Sequence, residues 1–162
     1  MVENSNIKNM KQIRQNVWET NSSSTHSVSV AETLTEDMMD TITPNEEGVV
    51  VLTGGEWGWE VDDYYDAETK ANYMLVYLMA RGGDRLSEMS QMLKDVIMEQ
   101  TGCTDVEFQA NGIGWRGLPD FGYIDHQSIE DDDYHFIFED KEILRRFIFS
   151  RESWLHTDND NH

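Results

Sequence analysis

The sequence predicts an α+β fold: a single compact domain with a small, mainly antiparallel sheet and a central helical hairpin. Three observations predict it. Two adjacent stretches, 67–81 and 84–101, carry apolar residues at helical spacing and are parted only by Gly82-Gly83. Short β-branched or aromatic runs lie on both sides of that pair. At 162 residues the chain has room for one core and not for a multi-domain enzyme.

Taken in order, residues 1–9 read as a flexible extension before a domain spanning 10–157, and 158–162 as an acidic, polar tail. Met10, Ile13 and Val17 suit a helix, yet Ile13 and Val17 suit a strand equally, so that element stays open. The polar run 20–27 is a loop, and Val28 and Val30 alternate as a short strand over 27–31. Leu34, Met38, Met39 and Ile42 predict a helix over 32–42, stopped by Pro44. The run Gly48 to Thr53 reads as a buried strand ending at Gly54-Gly55. Asp66 caps the first hairpin helix, which carries Ala71, Met74, Leu75, Leu78 and Met79. The second carries Leu86, Met89, Leu93 and Ile97 and stops at Gly102. Strands are expected over 105–110 and over the aromatic Tyr134 to Phe138. A last helix, over 140–149, is opened by Asp140.

Charge restricts function more than it restricts fold. Against 12 Lys and Arg stand 32 Asp and Glu, a formal net charge of −20, which disfavours direct contact with nucleic acid or an anionic membrane. No Lys or Arg occurs between Arg14 and Lys70, nor between Arg116 and Lys141. These acidic sectors make Glu46, Glu47, Glu56, Glu60, Asp62, Asp63 and the block Glu130, Asp131, Asp132, Asp133 candidates for contact with a basic partner. The single cysteine, Cys103, excludes a disulfide framework and a paired-cysteine zinc site and reads as buried filler. The start of the chain lacks the pattern of a secretory signal, and no apolar run is long enough to cross a bilayer, so a cytoplasmic protein is expected.

Chemistry-bearing residues concentrate in three loops. Residues 20–27 hold Asn21, Ser24, Thr25 and His26, small donors suited to an anionic ligand, though the same residues serve as ordinary turn and cap formers. The segment Gly54 to Glu60 follows a strand as a phosphate loop would, but it lacks the Lys and hydroxyl of one and carries Glu56 and Glu60, so that reading fails. Its Trp57 and Trp59 are either packed on a core edge or anchors for a partner. The glycine-rich stretch 111–122 is too long for a simple turn and puts Trp115 and Arg116 at its tip. Its Asp120-Phe121-Gly122 is a kinase triplet with no other kinase motif around it. Beyond it come Asp125, His126 and Ser128. No cofactor is expected. A divalent cation remains open at the oxygen-rich 158–162 or among histidines brought together by folding.

Residues 10–27, which include Glu19-Thr20-Asn21-Ser22-Ser23-Ser24-Thr25-His26-Ser27, resemble the opening of a family of uncharacterised proteins encoded by bacteriophages and bacteria. The resemblance implies that Met10 matches the usual family start and that the setting is a phage or prophage in a bacterial host. It implies no activity and no catalytic residue.

Three functions follow as expectations. The first is an acidic accessory protein that binds and modulates a basic, nucleic-acid-handling host protein as an inhibitor or nucleic-acid mimic. The second is a small enzyme or binder of a nucleotide or other anionic ligand. Its site joins the loops 20–27 and 112–128, with His26, Asp125 or His126 as acid-base groups and Arg116 holding an anion. The third is a virion or assembly component using its tryptophans in subunit contacts.

Overall fold

The computed structural model describes residues 26–57, 60–124 and 134–157. The extension 1–9, the open element 10–18, most of the loop 20–27 and the tail 158–162 lie outside the described residues. The fold is α+β. Its strands are β1 (Ser27–Ser29), β2 (Val49–Leu52), β3 (Gly55–Trp57), β4 (Asp62–Tyr64), β5 (Asp105–Phe108), β6 (Gly122–Ile124) and β7 (Trp154–Thr157). Its helices are α1 (Ala67–Arg81), α2 (Leu86–Thr101) and α3 (Lys141–Phe149). Strands β1, β7 and β4 form an antiparallel sheet in that order, with Leu155 of β7 facing both Val28 and Tyr64.

Beside this sheet stand two short parallel pairs, β2 with β5 and β3 with β6. A parallel pair needs a long crossover, and the helical hairpin lies within the one that joins β2 to β5. Helix α1 is the centre of the molecule, packing on α2, α3, β2, β3 and β6. Nine of its residues are buried, among them Tyr73, Met74, Tyr77 and Leu78, because a helix with neighbours on all sides needs more than one apolar stripe. Asp66 caps it by accepting from the Thr69 N–H at 2.9 Å. Asp40 adds a second acceptor, Oδ2 taking the Ala67 N–H at 2.8 Å. Helix α2 ends at Gly102, whose φ of 74° is the left-handed cap that glycine adopts without strain. Asp140 caps α3 through the Glu142 N–H.

Two elements differ from the sequence expectation. The helix expected over 32–42 is one 3-10 turn, Glu36–Met38, followed by extended chain. Its backbone groups are taken elsewhere: the Asp40 N–H donates to the Phe149 carbonyl, and the Arg151 N–H donates to the Met38 carbonyl. These bonds lay residues 38–40 against the end of α3, so tertiary pairing overrides a local helical period. The strand expected over Tyr134 to Phe138 is a 3-10 helix, His135–Phe138. Tyr134, Ile137 and Phe138 are buried while His135 and Phe136 are only half-buried, which is a helical spacing and not an alternating one.

Lys70 is the one charged residue in the buried interior of α1. It is 0% exposed, and its Nζ donates to the carbonyls of Ser150 at 2.7 Å and Ser153 at 2.9 Å, just past the end of α3. The Phe147 ring lies 5.7 Å from the same nitrogen. Burial, opposed by the nearby carboxylates of Asp40 and Asp66, lowers its pKa from 10.5 to about 7.

Candidate binding cleft

The two parallel pairs are one ribbon that has split. Strands β2 and β3 follow each other with only Thr53 and Gly54 between them, whereas their partners β5 and β6 are separated by residues 109–121. The inserted chain leaves the ribbon as a finger. Asn111 N–H donates to the Asp120 carbonyl at 2.7 Å, Asp120 N–H to Gly112, and Gly114 N–H to Leu118, with a 3-10 turn at Trp115–Gly117. Arg116 at the tip has φ 62°, a left-handed conformation uncommon for a residue with a Cβ.

Where the ribbon splits, a cleft of about 440 Å³ opens, within the usual range of ligand sites. It is lined by residues 53–56 from one strand and 109–111 and 120–122 from the other. The lining joins the carboxyl ends of β2 and β5 to the amino-terminal ends of β3 and β6. Glycine is required at the crossing: a Cβ on Gly54 would fall on the Phe121 carbonyl oxygen, and one on Gly122 on that of Gly55. Both have positive φ, 85° and 95°.

The cleft floor is held from α1. Asn72 Oδ1 accepts the N–H groups of Thr53 at 3.0 Å and Gly54 at 2.8 Å, and its Nδ2 donates to the Glu68 carbonyl, which fixes the amide orientation. Gly55 N–H donates to the Phe121 carbonyl at 3.0 Å, and Gly122 N–H to Asp120 Oδ1 at 2.9 Å. The backbone N–H groups of Thr53, Gly54, Gly55, Gln109, Asn111, Asp120 and Gly122 are thus committed internally. Glu56 and Asp120 bring carboxylates to the lining and Gln109 and Asn111 bring amides, and among the described residues it includes no Lys or Arg. With two carboxylates and no cation in its described lining, such a surface favours positive charge; it is the opposite of an anion nest.

Behind the cleft lies a row of buried aromatic rings. The Trp57 ring lies over Gly55, since a Cβ there would meet its six-membered ring, and it meets Tyr73 edge-on at 5.1 Å. The Tyr73 hydroxyl is 2.9 Å from His26 Nδ1, and its ring is 6.1 Å from that of Tyr134. His26 closes the 20–27 loop, Ile124 pairs with Trp57 at the end of β6, and Tyr134 begins the chain after residue 133. The described ends of both polar loops therefore meet around Tyr73 and Trp57.

Of the residues singled out in the sequence, Glu56 is exposed and lines the cleft. It sits beside Tyr123 on the solvent face of the β3/β6 pair, while Trp57 and Ile124 face the core. Trp57, considered as a partner anchor, is 6% exposed, and its contacts are those of a core residue. His26 is 1% exposed. Arg116 is exposed at the finger tip and does not line the cleft. Glu46 and Glu47 are exposed in the turn that leads into β2, at the opposite end of that strand from the cleft. Asp62 and Asp63 are exposed on the edge strand β4, where Asp63 Oδ1 bonds His156 Nδ1 at 2.7 Å, and Glu60 is half-buried. Burial first, then the carboxylates of Glu60, Asp62 and Asp66, raise the Tyr64 hydroxyl above its ordinary pKa, against a bond from Thr157. Asn21, Ser24, Thr25, Trp59, Asp125, His126, Ser128, Glu130, Asp131, Asp132 and Asp133 lie outside the described residues.

Asn72, Gln109, Asn111 and Asp120 acquire their roles only through folding. Asn72 carried one signal: a mediocre helix former within an apolar helical run. Among the described residues, no group of three or more His, Cys, Asp or Glu is placed to hold a metal ion, and no helix is long and apolar enough to cross a membrane. Comparisons with protein-family models, with curated proteins and with solved structures find no match.

Proposed function

We propose that this protein is a cytoplasmic accessory protein, of phage type, that binds and modulates a basic, nucleic-acid-handling protein of its host. The observation that supports the reading is the cleft: two carboxylates and two amides in its lining, no Lys or Arg there among the described residues, and most of its backbone donors already committed. The net charge of −20 supports it at long range by steering a cationic partner inward. Exposed Glu46, Glu47, Asp62 and Asp63 add negative charge elsewhere on the surface.

The test is retention of host proteins on the immobilised chain, eluted by stepped salt, beside an unrelated protein of equal negative charge. Selective retention of one nucleic-acid-binding protein is the expected result. Identical retention on both baits reduces the charge to a solubility device and overturns the reading.

A second reading, a small enzyme or binder of an anionic ligand, is favoured by one feature, the meeting of both polar loops around Tyr73 and Trp57. On that reading His26→Asn removes turnover or ligand-induced stabilisation. A screen of nucleotides and small anions that gives no thermal shift with the wild-type chain rejects it.

A further inference from the structure

We infer that the cleft between β3 and the finger receives an arginine side chain from an extended segment of the partner. This rests on the basic-partner reading and deepens it by naming the group recognised and the place. The walls offer acceptors on both sides: Glu56 from β3, Gln109 and Asn111 at the root of the finger, and Asp120 where the finger returns. A guanidinium has five donors in a planar fork and no acceptor, which suits a site rich in acceptors. An ammonium has three donors around a point charge and satisfies fewer of them.

The surroundings fit a peptide more than a free small cation. On the finger Ile113 is 75% exposed and Leu118 62%, and Tyr123 beside Glu56 is 41% exposed. Two of these apolar side chains lie on the finger rooted at the cleft and the third is paired with a residue of its lining, so they are placed to contact residues flanking the arginine. The finger that carries two of them is braced by its own backbone bonds, so little ordering is left to be done on binding.

The experiment is calorimetric titration of the full chain, at low salt, with the capped peptide Ala-Leu-Arg-Leu-Ala and with versions carrying lysine or citrulline in place of arginine. Amide shift mapping by NMR accompanies it. The expected result is binding of the arginine peptide with shifts at Gly55 and Gly122, and affinity about tenfold weaker for citrulline, which is isosteric but uncharged. Glu56→Gln, an exposed change, and Asp120→Asn, which keeps the oxygen that accepts from Gly122, each weaken the arginine peptide by a similar factor. Glu46→Gln with Glu47→Gln does not.

Equal affinity for the arginine peptide and for either the lysine or the citrulline peptide overturns the inference. So does loss of binding on changing Glu46 and Glu47 but not Glu56 and Asp120; that pattern leaves the basic-partner reading standing with its contact elsewhere. If neither this peptide nor deca-arginine binds better than it does to an unrelated protein of equal charge, both the inference and the reading beneath it fall.

Discussion

Lys70 is a cation placed where a leucine would be expected. Its ammonium is held by the Ser150 and Ser153 carbonyls that follow α3, groups that no helical N–H can satisfy. The folded chain lowers its pKa to about 7, against 10.5 when exposed. Below about pH 7 both states hold the proton and the folded state bears the whole cost of the buried charge. Between about 7 and 10.5 the unfolded chain still holds a proton that the folded chain has released, so this residue's contribution to stability rises with pH across that window. Lys70→Met leaves the Ser153 carbonyl without its donor and the Ser150 carbonyl with only the Ser153 N–H, and is expected to cost about 1–3 kcal/mol near pH 9. The cost shrinks toward pH 6, where the wild type carries the charge. Urea unfolding of both chains from pH 6 to 10 measures this, and parallel profiles would contradict it. At Asn72 the expectation concerns the cleft floor. Asn72→Ala removes the acceptor of two N–H groups and should cost about 1–2 kcal/mol, with hydrogen exchange speeding up first at Thr53 and Gly54.

At the scale of elements, what the sequence made legible is what local chemistry decides. Helices α1, α2 and α3 are readable because Asp66 and Asp140, which cap α1 and α3, and Gly102, which stops α2, act within a few residues of themselves. The expected helix over 32–42 had a fitting period but no way to reveal that residues 38–40 would pair with the end of α3. In the 134–138 segment composition and spacing conflict: aromatic residues favour strands, yet the buried positions follow a helical spacing. The cleft was not legible at all. Glu56 and Asp120 are far apart in sequence and meet only because β3 pairs with β6, and that register depends on backbone contact at Gly54 and Gly122. A graded series tests the last point. Gly83 has φ 53° and open space around it, so Gly83→Ala meets conformational strain alone, about 1 kcal/mol. Gly54→Ala adds collision with backbone that cannot move without parting the strands, and should cost at least about 2 kcal/mol more and abolish the cleft. Equal melting temperatures for the two variants would show that the crossing is not tight.

For the whole molecule, charge acts on stability and on binding with opposite dependence on salt. A net charge of −20 on 162 residues repels itself most strongly in the compact state, so screening should raise the melting temperature. Local ion pairs oppose this only weakly. Arg145 pairs with Glu99 and Glu142, and Lys141 with Glu99, at the α2/α3 surface, where exposed pairs contribute little. Association with a cationic partner depends on the same field extending into solvent. The screening length falls from about 10 Å at 0.1 M to about 3 Å at 1 M, which removes long-range steering while leaving contacts within the cleft. Raising salt over that range should therefore raise the melting temperature by a few degrees and slow partner association by about tenfold or more, with a smaller change in dissociation rate. Thermal melts and stopped-flow association on the same samples check both halves. If salt lowers the melting temperature, the ion pairs outweigh the net repulsion. If it leaves association unchanged, the acidic surface plays no part in bringing the partner in, and whatever binds does so through the cleft alone.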